Sequence, residues 1–383
     1  MVYTFFSELE IYQLALLGIF ASAFLVQLIY YIFIYGKVGR YKQVKLDDTQ
    51  IQWPPISVVI CAKNEQENLK KNLPLVAEQD YPNFEVVVVD DCSEDDTHYL
   101  LKSLKVSYPH LRHTFIKGDE KFTHGKKLAL TVGIKAASHE LVVLTDADCW
   151  PKTNQWLRQM AHCYQNSSAE VVLGYCGYEK RKGLLNRIIR CDAFFIGLNY
   201  LGLALCKAPY MGVGRNLSYK RSLFFKNRGF ANHHTLVSGD DDLFVNEVST
   251  GKNTKVCISK DALLLTSPRE TKDSWFQQKT RHGSTFKRYR AGSKLALSTE
   301  MASRLLFFAT CIPLIFLLPI PYIALGALFV RLVVIAACFK AGINKLQERG
   351  LWFPMIMFDI VSPVLYLAFY LKRKFTPKRQ QWS

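Results

Sequence analysis

The stretch LVVLTDADCWP, residues 141–151, decides how the chain is read. Leu141, Val142, Val143 and Leu144 form the short apolar run that a buried strand needs. Thr145 follows, then Asp146 and Asp148 one residue apart, and Pro151 closes the stretch. Two carboxylates at the end of a buried strand are costly unless a cation neutralises them. Hard divalent cations take such oxygen ligands, and Mg²⁺ commonly bridges carboxylates to substrate phosphates. In open α/β sheets, ligands bind beyond the carboxyl ends of the strands. Asp146 and Asp148 are therefore candidates for a metal–diphosphate site, although the pair alone also fits a solvated loop after a strand.

Around this stretch lie 383 residues, enough for one large domain with additions. The chain is 49% hydrophobic and 21% charged, with the apolar residues concentrated at 11–35 and beyond 305. A net charge of +17 fits nucleic acid, an anionic membrane surface or anionic substrates. Much of the basic excess flanks apolar segments, in GKVGRYKQVK, KTRHGSTFKRYR and KRKFTPKRQQ, which favours the membrane over nucleic acid. There are ten cysteines and no C-x-x-C pair; Cys61, Cys311 and Cys338 sit in apolar runs. They read as reduced side chains, with neither a zinc site nor a disulfide framework.

Residues 11–35 carry no formal charge and are long enough to span a bilayer. Lys37, Arg40, Lys42 and Lys45 follow, so the positive-inside rule places the N-terminus outside and the next domain in the cytoplasm. Residues 305–339 are too long for one span and are broken at LPIPY, which reads as two short spans joined by a Pro turn; residues 351–371 are a third candidate. One span before the domain and three after it put the basic tail KRKFTPKRQQ outside, against the rule. Either one C-terminal segment is re-entrant or the rule fails. The expected organisation is an anchor at 1–45, a catalytic domain at 50–270, an amphipathic interface region at 271–300 and a membrane region with a basic tail at 301–383.

Within the soluble part, residues 56–61 (ISVVIC) and 84–89 (FEVVVV) are strands, 111–117 a third, and 141–144 the central one. Helices are expected at 67–78, broken by Pro74, from 95, at 125–137 and at 155–166. A strand at 170–173, an apolar helix at 182–206 (in the core or on the membrane face), a last strand at 256–265 and a basic amphipathic stretch at 273–290 complete the pattern. Alternating apolar strands and helices argue a mostly parallel sheet covered by helices.

Four polar clusters follow strand-like runs: Lys63 to Glu65, Asp90 and Asp91, Asp146 and Asp148, and Asp240 to Asp242. In this order the chain resembles the membrane-bound family 2 glycosyltransferases of GT-A fold, the group of the cellulose, chitin and hyaluronan synthases and their bacterial relatives. VVICAKNE matches the family's opening strand and polar turn, and VVVVDDCSEDD places its uracil-binding Asp on Asp91. GKKLALTVG matches its G-K-x-x-A-L-x-x-G segment, TDAD its D-x-D, GVGRNLSY its acceptor-side segment and SGDDDL its catalytic-base motif. Gln278, Arg281 and His282 stand where the family has Q-x-x-R-W, with His for the usual Trp.

The resemblance implies a metal-dependent, inverting transfer of a sugar from a nucleotide-sugar, expected to be a UDP-sugar, to a saccharide or lipid-linked acceptor. Asp146 and Asp148 would hold Mg²⁺ or Mn²⁺ against the leaving diphosphate. Ala62, Lys63, Glu65, Asp91, Lys126, Asp146, Gln278 and Arg281 would bind the donor. Gly214, Arg215 and Asn216 would face the acceptor. Asp241 would be the general base, with Asp240 the reserve. The expected setting is the bacterial inner membrane, in the company of envelope-biosynthesis partners and without nucleic acid. Two rivals remain: a haloacid-dehalogenase-type phosphohydrolase, disfavoured by Trp150 where that fold has Thr or Val, and a non-catalytic membrane scaffold. Arg331, in the second C-terminal apolar segment, is expected to pair with Asp359 rather than face lipid.

Overall fold

The structure is a computed structural model describing residues 9–42, 52–117, 125–165, 167–234, 236, 238–317 and 321–375. Lys45 and the tail beyond 375 lie outside the described residues. Helix α1, Ile11–Gly39, widens at Tyr30–Tyr35 into π-helical geometry before reaching the domain.

The domain's main sheet begins with β1 (Ile56–Ala62), every residue of which is buried; apart from Ser57, which donates to Glu85, its sequence is apolar. Helix α2 (Gln66–Ala77) crosses to β2 (Phe84–Asp91), α3 (Thr97–Ser107) to β3 (Leu111–Ile116), and α4 (Lys126–Ala136) to β4 (Leu141–Asp146). Pro74 does not break α2. It lies in the last turn, where it removes one backbone bond while Leu73 and Val76 stay buried. Strand β5 (Cys149–Pro151), α5 (Trp156–His162), β6 (Val171–Leu173) and β7 (Cys176–Tyr178) follow, then the long helix α6 (Leu184–Leu205). Next come β8 (Leu217–Lys220), α7 (Arg221–Lys226), α8 (Asp242–Val248), β9 (Thr254–Val256) and β10 (Leu264–Thr266).

The seven-stranded sheet has the order β3-β2-β1-β4-β8-β6-β9, parallel except that β8 runs against both neighbours. A second sheet pairs β5, β10 and β7. The single strand expected at 256–265 is thus two short strands in different sheets, parted by a 3₁₀ turn at Lys260–Ala262. Ser259, Lys260 and Asp261 form that break, and the apolar residues on both sides, 256–258 and 262–265, disguise it as one strand. Register aligns the functional ends: Ala62 pairs with Asp90, and Cys61 with Asp146, so β1, β2 and β4 finish at one edge. Helix α4 presses closely on this sheet. A Cβ on Gly133 would stand 2.5 Å from Val59 Cγ1, so the backbone approaches as only glycine permits.

After the domain, α9 (Lys272–His282) leads through Phe286–Arg288 into α10 (Ala291–Leu317), α11 (Tyr322–Leu346) and α12 (Trp352–Phe375). Residues 291–300 therefore already belong to the first C-terminal helix, and the two short spans are two long helices meeting near Pro321. Among the described residues, five helices are long and apolar enough to cross a membrane: α1, α6, α10, α11 and α12. Of these, α6 is largely buried within the protein.

Arg331 pairs with Asp359 as expected, Nη1 to Oδ2 at 2.8 Å. The pair belongs to a larger buried set. Arg304 bonds Glu300 at 2.9 Å and Ser362 at 2.8 Å, and Arg331 bonds Gln27 at 2.8 Å. Tyr31 donates to Asp359.

Candidate active site

Each edge of the crevice is set by local chemistry. The turn after β1 is stitched to the turn after β2: Asn64 Oδ1 accepts from Glu94 N at 2.8 Å, and Asn64 N donates to Ser93 Oγ at 2.9 Å. Asn64 takes φ +56°, a left-handed conformation that Asn tolerates well. Asp95 bonds the backbone N–H of Gln66 and of Thr97, so one carboxylate serves the starts of α2 and α3. Asp91 ends β2, fully buried. Gly239 has φ +104°, and a Cβ there would stand 2.6 Å from Leu243; this backbone aims the three acids that follow.

Lys126, at the first turn of α4, reaches into the centre. Its Nζ lies 2.8 Å from Asp146 Oδ1 and 3.3 Å from Asp240 Oδ2. Burial works against the Lys126 charge, but Asp146, Asp240 and Asp241 outweigh it and hold the ammonium well above its ordinary range. Burial also opposes the Asp240 charge, and Lys126 outweighs it there too, keeping Asp240 below the usual carboxylate range. Asp241 behaves oppositely. Burial first, then the charges of Asp240 and Asp242, push it up to about 7, against Lys126 and the Gly214 N–H. That N–H donates to Asp241 Oδ2 at 2.8 Å, and Asp242 N donates to Oδ1 at 2.7 Å.

Asp146, Asp148 and Cys149 offer ligand atoms that all lie within 4.8 Å of one another. Burial, then the Asp146 charge, raise the Asp148 carboxyl, with Arg215 opposing. Two hard oxygen donors in mutual repulsion fit a divalent cation such as Mg²⁺ or Mn²⁺. The Cys149 thiol is buried and 4.0 Å from Cys176 Sγ, which marks it as packing. Lys63, Glu65, Asn68, Asp148 and Arg269 help line an adjoining cleft. Burial raises the Glu65 carboxyl, and the charges of Asp148 and Asp146 add to this.

The structure thus brings together Lys126, Asp146, Asp148, Asp240, Asp241 and Gly214, with Lys63 and Glu65 beside them. Arg215 lies over Tyr178, 4.8 Å from the ring centroid, and its carbonyl accepts from Thr145. Asn216 is not on an acceptor face. It is fully buried, accepting from Trp156 Nε1 and donating to the carbonyls of Tyr175 and Ala262, so it holds the two sheets together. Gln278 and Arg281 lie on α9, and among the described residues neither is bonded to the site carboxylates. Their helix is instead held to the domain base by a Lys279–Asp192 ion pair. His282, on the last turn of α9, is exposed.

Sequence reading missed the role of Asp242. Its Oδ2 accepts from Thr285 Oγ1 and, at 2.7 Å, from Tyr289 OH, tying α8 to the segment that enters α10. Nothing in the spacing of Thr285 or Tyr289 signals this.

Residues 57–224 match the model of the glycosyl transferase family 2. The chain carries a family 2 glycosyltransferase domain. Similar proteins include the poly-beta-1,6-N-acetyl-D-glucosamine synthase of Staphylococcus epidermidis, 35% identical over 132 residues, which are 34% of this chain and 30% of that protein. Glycosyltransferase AglE of Haloferax volcanii is 32% identical over 123 residues, covering 32% of this chain and 39% of that one. The chain thus spans well under half the length of these curated relatives. Among solved structures, the mannosyltransferase PcManGT of Pyrobaculum calidifontis, in complex with GDP-Man and Mn²⁺, superposes with a TM-score of 0.59 at 19% identity. The match covers 95% of this chain and 99% of that one, and it shows the GT-A fold. In this glycosyltransferase domain the D-x-D ends the fourth strand of the chain, next to β1 in the sheet.

Proposed function

We propose that this enzyme transfers a sugar, with inversion, from a UDP-sugar to a saccharide or lipid-linked acceptor at the membrane, and that the reaction depends on a divalent metal. The observation that carries the reading is the single crevice in which Lys126 bridges Asp146, on the D-x-D side, and Asp240, beside the base. N-acetylglucosamine is the first sugar to test, because the S. epidermidis relative is named for its polymer. The setting is the cytoplasmic face of a bacterial inner membrane, where envelope-biosynthesis partners would supply the acceptor.

Asp146 and Asp148 would hold Mg²⁺ or Mn²⁺, which when bound supplies positive charge to the departing diphosphate. Asp91, at the end of β2, accepts from the N–H of the base. Lys63 and Lys126 lie beside the nucleotide and add positive charge along it. Asp241 takes the proton from the acceptor hydroxyl as that oxygen bonds the anomeric carbon and the bond to the diphosphate breaks. Its raised carboxyl makes it a stronger base than an ordinary Asp, near the pH at which it must work. Lys126 keeps Asp240 ionised without a second proton competing at the site.

The test is turnover of a panel of UDP-sugars, with GDP-mannose as comparison, by purified protein in detergent with and without an acceptor extract. Release of UDP that requires both acceptor and divalent metal supports the reading. Phosphate release from simple phosphomonoesters instead would overturn it.

A further inference from the structure

We infer that α12 does not cross the membrane but lies in its plane, its outer face buried among the acyl chains of the leaflet nearest the catalytic domain. This rests on reading α1, α10 and α11 as spans, and not on the transfer chemistry.

Three observations carry it. The first concerns the helices that do run together. Along α1 and α10, Gln13 meets Leu317, Phe20 meets Phe307, Gln27 meets Ser303 and Tyr30 meets Ala296, an antiparallel pair about 26 Å long at 1.5 Å per residue. Ala324 of α11 joins their far end in one apolar cluster. Among the described residues, none of α12 belongs to that cluster.

The second is the course of α6. It touches α10 at Phe195, α11 at Phe194 and Leu198, and α1 at Gly202, each near the domain end of the span or midway along it. A helix that meets three spans in succession lies across them, roughly parallel to the membrane. Helix α12 follows α6: Phe358 packs on Phe195 and Tyr366 OH bonds Asp192 at 2.9 Å. Phe369 then packs on Trp275 and Phe276 of α9, ring centroids 5.3 and 4.4 Å apart. The turn before α12 is held as well, by Glu348 to Arg190 at 2.7 Å. Both ends of α12 are pinned to the domain, whereas a span would leave it.

The third is the helix surface. The inward face carries Asp359, Ser362 and Tyr366, all bonded within the protein. The outward stripe, Phe353, Met357, Ile360, Val364, Leu367 and Leu371, is apolar throughout and 43–65% exposed. Such a stripe on a helix continuous with a membrane bundle is covered by lipid. Basic residues that headgroups attract are at hand: Lys372, Arg373 and Lys374 follow in sequence, and Lys287 and Arg288 are exposed after α9. The tail then emerges on the catalytic-domain side, which satisfies the positive-inside rule that three C-terminal spans would break.

Two measurements on the full chain in sealed vesicles test this. An epitope fused after Ser383 should be cut by external protease only in vesicles whose catalytic domain is also accessible. Nitroxides at Met357→Cys, Val364→Cys and Leu371→Cys, with the unsubstituted protein's spectrum subtracted, should report one shallow depth by oxygen against nickel-chelate accessibility. A tail protected when the catalytic domain is cut, or depths spread over about 21 Å from 357 to 371, overturns the in-plane helix. Release of the protein by carbonate washing overturns the membrane reading itself.

Discussion

At the scale of single residues, the site turns on two acids in one triplet with opposed protonation. Asp240 is held ionised by Lys126 and Asp241 is raised to about 7. Asp241→Asn keeps the shape and one of the two backbone N–H bonds but removes the basicity. Donor binding, measured by titration calorimetry, should survive, while transfer falls by roughly 10²–10⁴. Normal transfer in Asp241→Asn with a dead Asp240→Asn would move the base one residue back. The raised carboxyl also sets the pH dependence. The base must be deprotonated, so kcat/KM of the wild type should rise with pH through about 7 and level above it. For stability the sign is opposite: a carboxyl raised by folding contributes fully below the ordinary Asp value of 3.8, and that contribution is lost as pH climbs from there to about 7. The melting temperature of Asp241→Asn relative to wild type should therefore rise steadily between about pH 4 and pH 7 and level off above it. Asp148→Ala should reduce turnover by orders of magnitude and abolish the Mn²⁺-induced shift in melting temperature, and excess EDTA should do the same to the wild type. The acids themselves were legible because each follows an apolar run in the chain. What each side chain faces was not: the Asn216 of GVGRN points into the protein, and only Trp156, Tyr175 and Ala262, distant in sequence, reveal it.

At the scale of elements, the strand ends were legible wherever burial was continuous, as in β1, β2 and β4, because a parallel strand covered on both faces must be apolar along its length. The short elements were not. Strands β9 and β10 are three residues each and flank the polar Ser259, Lys260 and Asp261, and Pro74 sits in a helix that its buried neighbours sustain. The element that matters most to the site is the α8 start, whose Asp242 is fastened to Thr285 and Tyr289. Those two residues lie between α9 and α10, so the base is held by the segment that enters the membrane bundle. Tyr289→Phe leaves a buried carboxylate short of one donor and should cost about 1–3 kcal/mol of stability. It should lower kcat more than it changes donor affinity, since Asp242 is adjacent to the base and its backbone N–H bonds the Asp241 carboxylate. Equal losses in donor affinity and kcat would place Tyr289 in the donor site instead.

At the scale of the whole molecule, the sequence announced the membrane segments by length and charge, and the Arg331–Asp359 pair by the rarity of both charges in apolar helices. It could not announce Glu300 and Arg304. These lie four apart on α10, where they pass for an ordinary exposed helical pair, yet they are buried beside the first. Together the four side chains sum to zero charge: Arg304 with Glu300, Arg331 with Asp359, and Arg304 also 3.7 Å from Asp359. Neutrality, more than any one contact, is what the bundle requires, because removing one partner of a buried pair strands the other's charge at about 3–5 kcal/mol. Arg331→Met alone should therefore lower the unfolding midpoint sharply in detergent, and so should Asp359→Leu alone. The double variant restores zero charge, leaves Arg304 on Glu300 and adds apolar volume against Phe307 and Phe308, over which the Arg331 guanidinium now lies at 5.0 and 4.8 Å. It should unfold within a few degrees of the wild type. Midpoints measured for all four proteins form a double-mutant cycle. If the double variant loses as much as the two singles added together, the pair is not coupled, and the charges are held independently by Gln27 and Tyr31.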